Sequence, residues 1–266
     1  MRHPGRPIRL LRAAALGSLL AVALPAWARA AQDPGARRTL TEALPVGRKE
    51  VALTFDDGPS ASTAAILDLL RSHGQKATFF TLGTELERFP GIAQRAAREG
   101  HELGAHGMTH RSFPALGRHR LTREIGGTAD LIQELTGRRP AFVRPPYGNM
   151  NRQVVDVAAS LHMTVVLWSV DTLDWQNPGP GTIARRVLQN LRPGEIVLMH
   201  DGGAPRQQTV QAMAAILRAM DARGYRSVTL SQLVADAQAE APPAPRPASP
   251  PAAVRPGTVY GGPCGA

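Results

Sequence analysis

The sequence predicts an α/β fold: one domain built on a parallel sheet covered by helices, either closed as a barrel or left open. Three observations carry this. Short runs of β-type residues alternate with longer helical patterns about seven times along the chain. Glycines stand just after the helical segments, at Gly74, Gly100, Gly137 and Gly224, where a left-handed residue ends a helix at least cost. The 266 residues, 43% of them hydrophobic and 20% charged, are enough to bury one sizeable core.

Taken in order, the predicted strands are 51–55, 77–81, 102–105, 142–144, 164–168, 195–199 and 226–229. The predicted helices are 63–73, 90–99, 121–136, 153–161, 182–190, 208–223 and 232–237. Apolar residues keep to one side of the longer helices: Leu131, Ile132 and Leu135 in one, and Met213, Ile216, Leu217 and Met220 in another. Val165, Val166 and Trp168 read as core of a strand buried on both faces.

The ends of the chain differ from this middle. Residues 1–30 read as a signal peptide: arginines up to Arg12, an uncharged stretch from Ala13 to Ala28, and Ala28-Arg29-Ala30 as the cleavage signal. The stretch is shorter than the ~20 apolar residues of a spanning helix, so no stable membrane span is expected. The product is expected to be exported, periplasmic or secreted, after cleavage near Ala30. Residues 31–48 form a polar lead-in, 49–237 the folded domain, and 238–266 a Pro/Ala-rich tail with too few large apolar groups to offset the entropy of ordering.

The net charge of +10 does not point to nucleic acid. Five arginines and no acid lie in the first thirty residues; without them 26 basic face 21 acidic residues, and no basic run forms a stripe. The single cysteine, Cys264, excludes an internal disulfide framework and a cysteine-based zinc site. Nothing in the sequence sets the oligomeric state.

Polar residues gather where predicted strands end: Asp56 and Asp57 after the first, His106 and His110 after the third, and Arg144 at the close of the fourth. Asp171 and Asp174 follow the fifth, and His200 the sixth. In parallel α/β folds these ends form one face where sites are built. Alone, Asp56-Asp57-Gly58-Pro59 also reads as an acidic turn, and His106-x-x-x-His110 as an ordinary pair. Together they suggest two imidazoles and a carboxylate around a divalent metal, with a second carboxylate to handle protons. His73 and His101 read instead as structural, one near a helix C-terminus and one at a strand start.

These segments together resemble the five signature motifs of the polysaccharide deacetylases, the fourth family of carbohydrate esterases (NodB-type). Thr54–Pro59 is similar to the first motif, and His106–His110 to the second, H-[S/T]-x-x-H, with Gly107 in place of the hydroxyl residue. Arg144-Pro145-Pro146-Tyr147-Gly148 resembles the third, Asp171-Thr172-Leu173-Asp174-Trp175 the fourth, and Leu198-Met199-His200 the fifth. The resemblance implies a distorted (β/α) barrel of seven or eight strands and a metal-dependent hydrolase that removes acetyl groups by attack of a metal-activated water. It implies Asp57, His106 and His110 as ligands of a divalent metal, commonly Zn²⁺. It makes Asp56 the general base, paired with Arg144, and His200 the general acid, paired with Asp174. Tyr147 would offer its backbone N–H to the oxyanion, with Trp175 and Leu198 walling the acetyl-methyl pocket. The expected substrate is an N-acetylated glycan, peptidoglycan or chitin-like. The alternatives are O-deacetylation of xylan or another acetylated polymer, hydrolysis of a small cyclic amide, and a catalytically silent glycan-binding domain. Loss of the hydroxyl at Gly107 is expected to leave metal binding intact and the loop between the histidines less firmly held.

Overall fold

The computed structural model describes residues 39–240; the signal-peptide reading and nearly all of the tail reading lie outside the described residues. Within them, nine strands form one parallel sheet: β1 (Thr39–Leu40), β2 (Glu50–Gly58), β3 (Thr78–Thr81), β4 (Glu102–Ala105), β5 (Phe142–Val143), β6 (Thr164–Val166), β7 (Val170–Asp171), β8 (Ile196–His200) and β9 (Arg226–Ser227). The order is β1-β6-β5-β4-β3-β2-β8-β7, with β9 also paired to β2. β6 and β7 are consecutive in the chain yet do not pair; β1 lies on the free side of β6, and the sheet curls into a distorted barrel that stays open between its edge strands β1 and β7.

Helices α1 (Ala61–Ser72), α2 (Gly83–Arg88), α3 (Pro90–Arg98), α4 (Arg118–Thr136), α5 (Arg152–Ser160), α6 (Pro180–Gln189), α7 (Gln207–Ala222) and α8 (Leu230–Glu240) cover it. The four glycines expected to end helices all have positive φ, from 62° to 81°.

The core divides along the pleat of β2. Val51, Leu53 and Phe55 point outward and pack under α1 and α7, against Ile66, Leu67, Met213 and Ile216. Ala52 points inward with Phe80, Val166 and Ile196. Thr54 and Asp56 follow Ala52 on the inner face, which aims a carboxylate into the barrel mouth.

Several elements differ from expectation. β1 and β7 have two residues each and α2 has six, too short to show a period. β1 and the chain after it bring the lead-in onto the domain, where Leu44 N–H donates to the Gly194 carbonyl at 2.9 Å. At the other end α8 continues three residues past the expected boundary, and Glu240 at its end accepts the Gly47 N–H. Trp168 leaves the strand early: β6 ends at Val166, and the indole is half-buried instead of core.

Candidate active site

Two adjacent strand residues normally point to opposite faces. β2 escapes this at its end. Asp56 pairs with Phe80 of β3 and Gly58 with Thr81, leaving Asp57 as an unpaired bulge residue at φ 74°. The bulge turns Asp57 toward the side Asp56 faces. Both carboxylates line one pocket of about 370 Å³, with His106, His110, Tyr147, Trp168, Asp171, Trp175, Leu198, His200 and Arg206. Asp57, His110, Tyr147 and Leu173 all have positive φ. Such conformations persist only where the surroundings impose them, and four of them gather here.

Asp57, His106 and His110 form a three-donor cluster, with ligand atoms all within 4.8 Å of one another. Asp57 Oδ1 lies 3.1 Å from His110 Nε2 and 3.4 Å from His106 Nε2, yet this buried oxygen makes a hydrogen bond with neither. His106 Nδ1 is 2.7 Å from the Arg144 carbonyl, which can only accept, so Nδ1 carries the hydrogen. Neutral His106 therefore turns a lone pair on Nε2 toward the cluster. Burial opposes charge on His106, but Asp56 and Asp57 outweigh it and raise its pKa. Burial likewise opposes ionisation of Asp57, and His106, His110 and His200 hold its carboxyl below the usual range. One oxygen and two imidazole nitrogens in a setting that favours positive charge fit Zn²⁺ or a similar divalent ion.

Beside this cluster are two charged pairs. Arg144 is fully buried; its Nη1 donates to Asp56 Oδ1 and to Thr54 Oγ1, each at 2.8 Å, and its Nη2 to the Leu167 carbonyl. The guanidinium sits 4.1 Å from the Phe80 ring centroid and 5.8 Å from that of Trp168. His200 Nδ1 is 2.7 Å from Asp174 Oδ1, while Asp174 Oδ2 accepts the His200 N–H and the Thr209 hydroxyl. Burial works against charge on His200, and Asp174 outweighs it, raising the His200 pKa.

All ten expected site residues are thus brought together: Asp56, Asp57, His106, His110, Tyr147, Trp175, Leu198 and His200 line the pocket, and Arg144 and Asp174 lie behind it, bonded to lining residues. Leu198 is buried, whereas Tyr147 and Trp175 are 65% and 51% exposed. The Tyr147 ring centroid is 4.7 Å from that of His110.

The sequence reading missed Glu124, Trp168, Asp201, Arg206 and Thr209. Asp201 takes the Thr63 hydroxyl on Oδ2, its carbonyl takes the Ser60 hydroxyl, and its N–H reaches the Asp56 carbonyl. Burial pushes its carboxyl up to about 7. Its carboxylate fills the space a side chain at Gly58 would need. Arg206 Nε donates to the Gly202 carbonyl. The run Asp201-Gly202-Gly203 directly after His200 was the available signal: a chain that tight must pass close to something, and here it passes the Asp57 backbone and carboxylate.

An open barrel whose strand ends hold a three-donor cluster between a carboxylate–guanidinium pair and an imidazole–carboxylate pair defines a hydrolase class. Comparison with known proteins gives the family. The model of the family described as polysaccharide deacetylase matches residues 43–166. A peptidoglycan-N-acetylglucosamine deacetylase of Bacillus cereus is 39% identical over 198 residues, covering 73% of this chain and 92% of that protein. The peptidoglycan-N-acetylmuramic acid deacetylase PdaC of Bacillus subtilis is 36% identical over 193 residues, 72% of this chain and 40% of that protein. A crystal structure of a peptidoglycan N-acetylglucosamine deacetylase superposes with a TM-score of 0.70 at 38% identity, covering 73% of this chain and 92% of that one. The chain belongs to the polysaccharide deacetylase family.

Proposed function

We propose that this protein is an exported enzyme that hydrolyses the acetamido groups of N-acetylglucosamine or N-acetylmuramic acid units in a cell-wall glycan, releasing acetate and leaving a free amine. The observation that carries this is the presence, in one pocket, of the Asp57–His106–His110 cluster together with Asp56 on Arg144 and His200 on Asp174. Export is supported by the signal-like pattern of residues 1–30, and among the described residues no helix is long and apolar enough to cross a membrane.

Asp57, His106 and His110 would hold the divalent metal. Bound there, such an ion supplies Lewis acidity, lowering the pKa of water and polarising the amide carbonyl. Arg144 Nη1 holds one Asp56 oxygen by a hydrogen bond, leaving the other to accept the proton of the attacking water. His200, kept protonated by Asp174, donates a proton to the departing nitrogen, which leaves badly as an unprotonated amine. Leu198 and Trp175, which both line the pocket, would wall the acetyl methyl, and the backbone N–H of Tyr147 would meet the oxyanion. The exposed rings of Tyr147 and Trp175 offer flat faces on which sugar rings can pack.

The test is acetate release by the purified protein from peptidoglycan, N-acetylglucosamine oligomers and acetylxylan. Release from the first two is expected. Release from acetylxylan alone would overturn the N-acetyl assignment and promote the O-deacetylase reading.

A further inference from the structure

Between the two candidate histidine ligands lie Gly107, Met108 and Thr109, a segment flanked by left-handed backbone at Gly107 (φ 89°) and His110 (φ 58°). Its polar groups are held from two sides. Gly83 N–H donates to the Gly107 carbonyl at 3.0 Å and Thr84 N–H to the Met108 carbonyl at 3.1 Å. Glu124 on α4 reaches two of these residues, Met108 and Thr109. Its Oε2 accepts the N–H groups of Met108 (2.8 Å) and Thr109 (3.0 Å), and its Oε1 accepts the Thr109 hydroxyl (2.8 Å).

Glu124 is buried, and among the described residues no cation stands within ion-pair distance of it. Burying an unpaired carboxylate is costly unless hydrogen bonds satisfy it. Here all three bonds go to one loop. A side chain at Gly107 would sit 2.9 Å from Phe113 Cε1 and 3.3 Å from Glu124 Oε2, at a φ that L residues rarely adopt. The hydroxyl residue expected at this position has no room, and the carboxylate holds the loop from the neighbouring helix.

We propose that Glu124 is a positioning residue for the metal site, fixing the His106–His110 spacing through the loop between them and acting in place of the missing side chain at Gly107. The proposal rests on the reading of Asp57, His106 and His110 as metal ligands. It takes the part that outer partners of metal ligands commonly play, whose loss weakens metal affinity about 10–100-fold.

The experiment measures Zn²⁺ affinity of the full chain by competition with a chromogenic chelator, alongside the visible spectrum of the Co²⁺-loaded protein. Glu124→Ala is expected to bind Zn²⁺ at least ~10-fold more weakly than wild type and to shift the Co²⁺ bands. Glu124→Gln, whose amide can keep all three bonds once Thr109 accepts, is expected to restore binding to within ~3-fold. Ile132→Val, a packing change on the same helix, is expected to lower Tm and leave Zn²⁺ affinity unchanged. Wild-type affinity in Glu124→Ala, or weakening by Ile132→Val as large as that by Glu124→Ala, would overturn the proposal. If Glu124→Ala does not fold, Thr109→Val decides: loss of one bond should weaken binding roughly two- to five-fold, and no change would refute the role. A wild-type chain that binds no stoichiometric metal would refute the ligand assignment itself, a result distinguishable from all of these.

Discussion

His200 and Asp174 show how the local setting sets chemistry at the scale of single residues. Burial alone would strip the proton from His200; the carboxylate 2.7 Å away reverses that. An acid of raised pKa stays protonated to higher pH, and activity falls as pH rises through that value. Asp174→Asn removes the charge, so the basic limb of the kcat/KM profile is expected to move to lower pH, with activity at pH 8 reduced about 10²-fold or more. A limb that stays in place would mean that His200 is not the acid. The opposite pair is tested by replacing Arg144 with Met, which frees Asp56 from its anchor and leaves the base misplaced and without its cation. A loss of kcat with nearly unchanged Zn²⁺ affinity is expected, since the Arg144 side chain bonds Asp56 and none of the three cluster residues, while its carbonyl, which holds His106, is kept. The chemistry-bearing residues were legible in the sequence because strand ends in a parallel sheet share one face, so polar residues stationed there converge without any knowledge of loop geometry. Glu124 was not legible: it sits in an ordinary helical context, and only the folded chain shows that its carboxylate faces the ligand loop. For Asp201 the two following glycines were the one signal, and only the folded chain shows that its carboxylate meets the Gly58 turn.

The same division holds for whole elements. Long helices and the strands between them could be read from periodicity and from the glycines that end them, whereas β1, β7 and α2 are too short to carry a period. The bulge in β2 was hidden as well. Two adjacent aspartates looked like a division of labour, but the alternation of a strand argues against their meeting, and the left-handed Asp57 resolves the conflict. At the opposite ends of the strands, His101 links β3 and β4 by accepting the Ala77 N–H on Nδ1. Burial, with Lys76 adding, pushes its pKa down to about 4. The unfolded chain takes up this proton near pH 6.5, and the folded protein resists it. His101 therefore costs no stability above about pH 6.5 and costs progressively more as pH falls toward 4, by up to about 1.4 kcal/mol per unit. His101→Asn keeps an acceptor for Ala77 and is expected to flatten the fall in denaturant midpoint between pH 6.5 and 4. An unchanged slope would show that His101 does not govern it.

For the molecule as a whole, the open barrel gathers onto one edge residues from Asp56 to His200, spread over more than half the chain, and the candidate ligands join the ends of β2 and β4. A metal that binds only the folded state stabilises it in proportion to its occupancy. Zn²⁺ at 100 times its Kd is expected to add about 2.7 kcal/mol, seen as a rise in Tm that a chelator reverses. In Asp57→Ala that shift should vanish. The family resemblance and the site led to the same reading because the barrel edge is where both are expressed, yet the polymer acted on depends on the rim, whose shape the sequence did not disclose. The most direct test of the account is acetate release from peptidoglycan by wild type, Asp57→Ala and Asp56→Asn, each with chelator and after Zn²⁺ is restored. The account predicts release by wild type alone, abolished by chelator and recovered with metal, while Asp56→Asn still binds Zn²⁺ and releases at least ~10²-fold less acetate. Chelator-insensitive release, or equal release by Asp56→Asn, would contradict it.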